Sequence, residues 1–254
     1  VISTNIGLSA ADAHVVDSGV TSGGGVTVEA ENTSTLDAKI VNATTSGAVA
    51  VGATLAFNTI GWEPQNTIFN LIDTLLGTSI GTEQPSDVSA TISNSDIDAD
   101  GNIVVQASST ANLTAEINNK ADASASALVG ATGASFGAVV SMNKVSSAAE
   151  AYTFGGSLKA NGTLTVSALD SPVIAATVSL ASTAQPSNIS PFSNGNAAGA
   201  ACVVALNDVR GGAEAHVDGS TADINGNSLI QALEDATLNA TVTSEAKTSG
   251  GNTF

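Results

Sequence analysis

Val26-Thr27-Val28-Glu29-Ala30 returns along the chain as Ile103-Val104-Val105-Gln106-Ala107, Leu164-Thr165-Val166-Ser167-Ala168 and Ser228-Leu229-Ile230-Gln231-Ala232. Taking the closing alanine as a common origin aligns four copies. At six, eight and ten residues beyond it stand Leu36, Ala38, Ile40; Leu113, Ala115, Ile117; Ile174, Ala176, Val178; and Leu238, Ala240, Val242. Upstream, Asn5, Asn143 and Asn207 lie 25 residues before their alanine, and Ala13, Ala90, Ala151 and Ala215 lie 17 before it. Asn58 lies 49 residues before Ala107, an excess of 24 that places an insertion at 61–84. The alanine-to-alanine spacings of 77, 61 and 64 residues delimit copies of about 1–45, 46–120, 121–182 and 183–254 in a single domain. Length variation is expected in the Gly/Ala-rich stretches Ser46 to Phe57, Ser126 to Met142 and Asn194 to Leu206, as outward loops.

The period inside each copy is two: Val26, Val28 and Ala30 alternate with Thr27 and Glu29, and Ile97 and Ala99 alternate with Asp96, Asp98 and Asp100. This is the pattern of strands with one buried face. Turns are expected at Gly23-Gly24-Gly25, Asp100-Gly101-Asn102, Asn161-Gly162-Thr163 and Asn225-Gly226-Asn227, with glycine supplying a positive φ. One copy alone offers too few aliphatic side chains, many of them alanine, to offset the backbone entropy of ordering some sixty residues. Copies therefore stack, each sharing apolar surface with the next. The expected fold is all-β: a parallel β-solenoid, or β-helix, of about four imperfect repeats with one short helical insertion. The same turns also suit hairpins, so an antiparallel sandwich or meander of repeats is the alternative.

Composition narrows the function classes. Six Lys+Arg against 23 Asp+Glu give a formal net charge of -17, which excludes a nucleic-acid binder, because phosphate affinity depends on basic side chains. Apolar types reach 43% and charged types only 11%, unlike a disordered acidic tail. Cys202 is the single cysteine, so no disulfide framework exists, and within Ala201-Cys202-Val203 it is expected as a small core residue. No apolar run reaches the roughly 18 residues of a membrane-spanning helix. Val1 opens no signal-peptide pattern, and Val1 to Asn5 matches Val203 to Asn207. Two expectations follow: a piece of a longer array, or a subunit completing its terminal copy with a neighbour's strands.

The segments Val140-Ser141-Met142-Asn143-Lys144-Val145, Ala149-Glu150-Ala151-Tyr152 and Gly162-Thr163-Leu164-Thr165-Val166-Ser167-Ala168 resemble the repeat of very large bacterial surface proteins, the leukotoxin-like filamentous adhesins, and more loosely the filamentous haemagglutinin family. The likeness covers most of the chain. It implies a secreted, elongated β-solenoid at the bacterial cell surface, serving as stalk or adhesive fibre. Its partners would be other copies of itself, flanking repeats of a longer chain, or a host or cell-surface ligand. It carries over no catalytic residue. The insertion and the scarcity of lysine depart from the common pattern.

Candidate chemistry is sparse. Asp96-x-Asp98-x-Asp100-Gly101 has the opening of a calcium loop, but the twelfth position, which needs a bidentate Glu, is Ala107. No cofactor is expected; structural calcium at these carboxylates is the alternative. His14 and His216 occupy equivalent places with Thr91 and Tyr152, reading as an outward ladder and not as catalysts. In the insertion, Pro64 opens a helical pattern whose apolar face is Ile68, Phe69, Leu71, Ile72, Leu75 and Leu76. With Trp62, the residues Ile68, Phe69, Ile72, Leu75 and Leu76 form the candidate interaction site; a helix lying on the solenoid flank is the plainer reading. Pro186 to Asn196 is expected as a protruding loop. The functional expectation is a non-catalytic structural or adhesive fibre component. The alternatives are a glycan-, ion- or ligand-binding module and a carbohydrate-active β-helix enzyme. That enzyme would want clustered carboxylates and aromatic substrate contacts, and the chain has one Trp and one Tyr. Ice binding would need a regular threonine array, which Thr27, Val104, Thr165 and Leu229 do not supply.

Overall fold

The structure is a computed structural model that describes residues 1–62, 83–124, 126–127, 132–185, 187–188, 196–249 and 251–252. The first copy forms β1 (Ile2–Gly7), β2 (Ala11–Val16), β3 (Gly19–Ser22) and β4 (Val26–Ser46). The second forms β5 (Val49–Ile60), β6 (Ser86–Ser93), β7 (Asp96–Ala99), β8 (Ile103–Ala123) and β9 (Ser126–Ala127). The third forms β10 (Thr132–Phe154), β11 (Ser157–Ala160), β12 (Leu164–Ala184) and β13 (Ser187–Asn188). The fourth forms β14 (Asn196–Arg210), β15 (Ala213–Asp218), β16 (Thr221–Ile224), β17 (Ser228–Glu234), β18 (Thr237–Thr248) and β19 (Gly251–Asn252).

Every strand lies parallel to its counterpart in the next copy. The first sheet runs β1-β5-β10-β14 and continues round a corner as β2-β6-β10-β15, a second runs β3-β7-β11-β16, and a third runs β4-β8-β12 to β17 and β18. This is the parallel β-solenoid. Among the described residues the one antiparallel contact is an isolated bridge between Trp62 and Glu83, which excludes the meander. Register follows the copies residue for residue: Ala30, Ala107, Ala168 and Ala232 form one column, and Asn5, Asn58, Asn143 and Asn207 another.

Each copy contributes one layer of the stack, the first beginning partway at the counterpart of Leu55, so it adds only the inter-strand spacing of about 4.8 Å along the stacking axis. Four coils rise about 19 Å, whereas the 21 residues of β12 extend about 70 Å. The described chain is a slab, wider than it is tall. Across the core β10 and β12 run in opposite directions: Ser135 Oγ meets Ser182 Oγ at 2.9 Å, and Ser147 Oγ donates to Asp170 at 2.9 Å. Between the two walls Ala38, Ala56, Ala115, Val139 and Val178 pack with Ile40, Ile117 and Leu180 in one cluster. Small side chains keep this single-layer core thin.

An asparagine ladder ties the walls together. Asn5 Nδ2 donates to Asn58 Oδ1, Asn58 Nδ2 to Asn143 Oδ1 and Asn143 Nδ2 to Asn207 Oδ1, each at 3.0 Å. The same amide groups cross the core to the carbonyls of Asp37 (2.7 Å), Thr114 (2.7 Å), Ala175 (2.9 Å) and Asn239 (2.7 Å). A side-chain amide suits this place because it donates twice and accepts at once, satisfying buried polar groups with none left over.

Two sequence expectations are corrected. The Gly/Ala-rich stretches are not loops: they are β5, the start of β10 and β14, paired without a gap. Length variation falls in the chain between these strands and the ones that precede them, and in the insertion. The Asn-Gly turns need glycine for a different reason from positive φ. A Cβ on Gly162 would stand 2.1 Å from Asn102 Oδ1 and 2.9 Å from the Gly101 backbone, and one on Gly226 would stand 2.6 Å from the Gly162 carbonyl oxygen. Backbones of successive turns touch, with Gly162 N–H donating to Gly101 O at 3.0 Å and Gly226 N–H to Gly162 O at 2.8 Å. Positive φ belongs to the previous corner, where Asp17 (47°), Asn94 (48°), Gly155 (65°) and Gly219 (61°) are equivalent in register. Asp, Asn and Gly are the residues that tolerate this left-handed region.

Candidate functional site

The chain leaves β5 after Ile60 and enters β6 at Ser86, with the expected insertion 61–84 between them. The helix expected there, with Ile68, Phe69, Ile72, Leu75 and Leu76, falls outside the described residues, as does most of Pro186 to Asn196, of which Ser187 and Asn188 form β13. The described root is a compact clamp. Gly61, at φ 78°, turns the chain where a Cβ would collide with the Ser146 carbonyl oxygen. Trp62 is 1% exposed and covers Lys144, whose Nζ is 3.3 Å from the ring centroid; the Arg210 guanidinium carbon lies 4.8 Å from the same ring. Asp208 approaches Lys144 Nζ at 3.8 Å, and Glu83 approaches Arg210 at 3.4 Å and accepts from Ser146 Oγ. Trp62 therefore joins the second, third and fourth coils and is itself buried. A burial of Lys144 to 0% at an outward strand position is sustained by the indole face and the carboxylate, since an ammonium leaves water only for such partners.

Asp96 and Asp98 lie on the outer face of β7 and Asp100 just past its end, and each is engaged by the third coil. Asp96 accepts from Ser157 Oγ at 2.6 Å, Asp98 pairs with Lys159 at 3.0 Å, and Asp100 accepts from Asn161 Nδ2 at 3.1 Å. The Asp98 hydrogen bond raises the Lys159 pKa. His14, Thr91, Tyr152 and His216 form the expected outward ladder, with Tyr152 and His216 stacked at 4.9 Å.

Two arrangements are absent from the sequence reading. At the corner between β14 and β15, Asp170 is fully buried and accepts from Ser147 Oγ through both oxygens at 2.9 Å, while Glu234 is its neighbour in register. Burial, followed by the Asp170 charge, pushes the Glu234 carboxyl up to about 7, and burial raises Asp170 as well. The pair favours sharing a proton.

The second is the outer face of β5, β10 and β14. Val51, Phe136 and Ala200 form one outward column, and Ala53, Ala138 and Cys202 the next. Val49 (55%), Val51 (60%) and Phe136 (45%) are exposed, and between the columns runs an apolar groove of about 280 Å³. Cys202 is on this surface, not in the core: in register with Ala138, it leaves the inward place to Ala201. The run Val49-Ala50-Val51-Gly52-Ala53 is apolar at both parities, so a period of two could not tell inside from outside. The signal that could have found this face is the lack of charge from Ala197 to Asn207, set against Asp and Glu elsewhere on the outer surface.

The other described outer faces are polar, as in Glu29, Glu31, Asp37 and Lys39 along β4, and no helix among the described residues is long and apolar enough to cross a membrane. Comparison with protein-family models, curated proteins and solved structures finds no match to this chain.

Proposed function

We propose that this chain is a structural, adhesive and non-catalytic segment of an extracellular bacterial fibre or surface stalk, acting by extending a β-solenoid coil by coil. The observation that carries the reading is the stacking itself. Four coils of unequal sequence keep one register, and backbone pairing and the asparagine ladder run unbroken through all four. The inward aliphatics of the fourth coil support further stacking: Ile230, Leu238 and Val242 are 51%, 51% and 49% exposed, whereas Val166, Ile174 and Val178 above them are buried. Flanking repeats or another copy of the chain would cover them and pair with the open strand edges. The high net negative charge and the many Ser, Thr and Asn side chains suit a solvated surface fibre.

The test is protease treatment of intact cells of the source organism, joined to negative-stain imaging of the released material. Removal from the cell surface and elongated particles support the reading. Retention inside protected cells, or compact globules, overturns it.

A further inference from the structure

We infer that the uncharged outer face of β5, β10 and β14 binds a second copy of this chain, side by side, through a two-fold axis running along the stack. This lateral pairing does not depend on the fibre reading, which concerns growth at the ends of the stack.

Charge selects the face. In a chain of formal net charge -17, β1 and β5 and the stretches 132–143 of β10 and 196–207 of β14 hold no Asp, Glu, Lys or Arg. Two copies approaching through any other outer face bring carboxylates together: Glu29 and Asp37 on β4, Asp96 and Asp98 on β7, Glu150 and Glu214 beside the insertion corner. Through this face they meet without like-charge contact and keep their carboxylates in water on the far sides.

Shape selects a copy of itself as the occupant. Val51 and Phe136 stand as a ridge, and Ala53, Ala138 and Cys202 form the floor beside it. A two-fold axis between these columns, parallel to the stack, exchanges them. It lays the Phe136 ring of one copy over Ala138 of the other, and the reverse, in an isologous contact. The face spans three coils at about 4.8 Å and some seven residues at about 3.3 Å, roughly 400 Å² with its margins. A pair buries about 800 Å² in total, below the size of stable interfaces and in the range of weak, transient ones. An interface this small makes the pairing weak and reversible, so it is to be sought up to high micromolar concentration.

The experiment is sedimentation equilibrium of the 254-residue chain from about 1 to 300 µM, with Cys202 alkylation by a bulky maleimide followed over the same range. A monomer–dimer equilibrium is expected, with alkylation slowing as the dimer fills. Phe136→Lys, at an exposed site, and Ala138→Phe, which fills the floor, each weaken pairing at least about tenfold. Leu238→Lys, on the open fourth coil, leaves it unchanged; loss of pairing in that variant places the contact at the stack ends and overturns the inference. So does a chain that is monomeric throughout, whether Cys202 reacts freely or is covered by the chain's own insertion. A dimer indifferent to both Phe136→Lys and Ala138→Phe overturns it equally.

Discussion

Replacing Asn143 by alanine tests the ladder where it is most fully engaged. Asn143 donates to Ala175 O at 2.9 Å and to Asn207 Oδ1 at 3.0 Å, and accepts from Asn58 Nδ2 at 3.0 Å, with no exposure to solvent. The substitution removes three hydrogen bonds, each worth about 1 kcal/mol net, and leaves partners buried without them at about 1–3 kcal/mol. The expected loss is about 3–5 kcal/mol. Asn5 sits at the exposed end of the ladder with two donated bonds, to Asp37 O and Asn58 Oδ1. Water can replace its partners, so Asn5→Ala should cost about 1 kcal/mol. The expected ranking places Asn58 and Asn143 above Asn207 and Asn5. Urea unfolding followed by Trp62 emission measures it, since Trp62 lies over Lys144, the residue after Asn143. Hydrogen exchange of the β12 amides reports whether the opposite wall loosens too. Equal losses at Asn5 and Asn143, or a loss below about 1 kcal/mol at Asn143, would refute the claim that the ladder joins the walls.

Three further outcomes are expected. The Glu234 carboxyl titrates at about 7 in the folded chain against an ordinary 4.5, so its stabilising contribution is complete below pH 4.5 and disappears as pH rises through 7. Solvent contact at Glu234 screens the pair, and a stability lower by about 1 kcal/mol at pH 8 than at pH 5 is expected, a difference that Glu234→Gln removes in denaturation curves. Leu113 is 1% exposed and Leu238, its counterpart in the fourth coil, 51%; Leu113→Ala should cost about 2–5 kcal/mol and Leu238→Ala less than about 1 kcal/mol. Gly162→Ala meets neighbouring turn atoms and should cost about 1–3 kcal/mol, whereas Gly219→Ala, at φ 61° with nothing within 3.6 Å of the added Cβ, should cost about 1 kcal/mol through its backbone conformation. Thermal melts of the two glycine variants separate steric from conformational causes.

The repeat alignment predicted the register because like stacks on like in a solenoid. Equivalence between copies is therefore physical contact between coils, and an alanine column or an asparagine column in the alignment is a column in the molecule. The insertion was legible for the same reason, as the one place where Asn58 falls out of step. Neighbours across the core carry no such mark. Nothing in the alignment says that the Asn143 amide reaches Ala175, that Asp170 meets Ser147, or that Trp62 covers Lys144.

By itself, then, the sequence determined the strand period and the coil-to-coil pairing, both of which depend on local alternation and on self-similarity. Tertiary structure alone decided which side of β5, β10 and β14 faces the core, because both parities are apolar there. It also decided why the turn glycines are small, because backbone contact between successive turns exists only once the coils are stacked. The exposed ridge at Val51 and Phe136 belongs to that second group: a side chain becomes surface or core only when the opposite wall has taken its place.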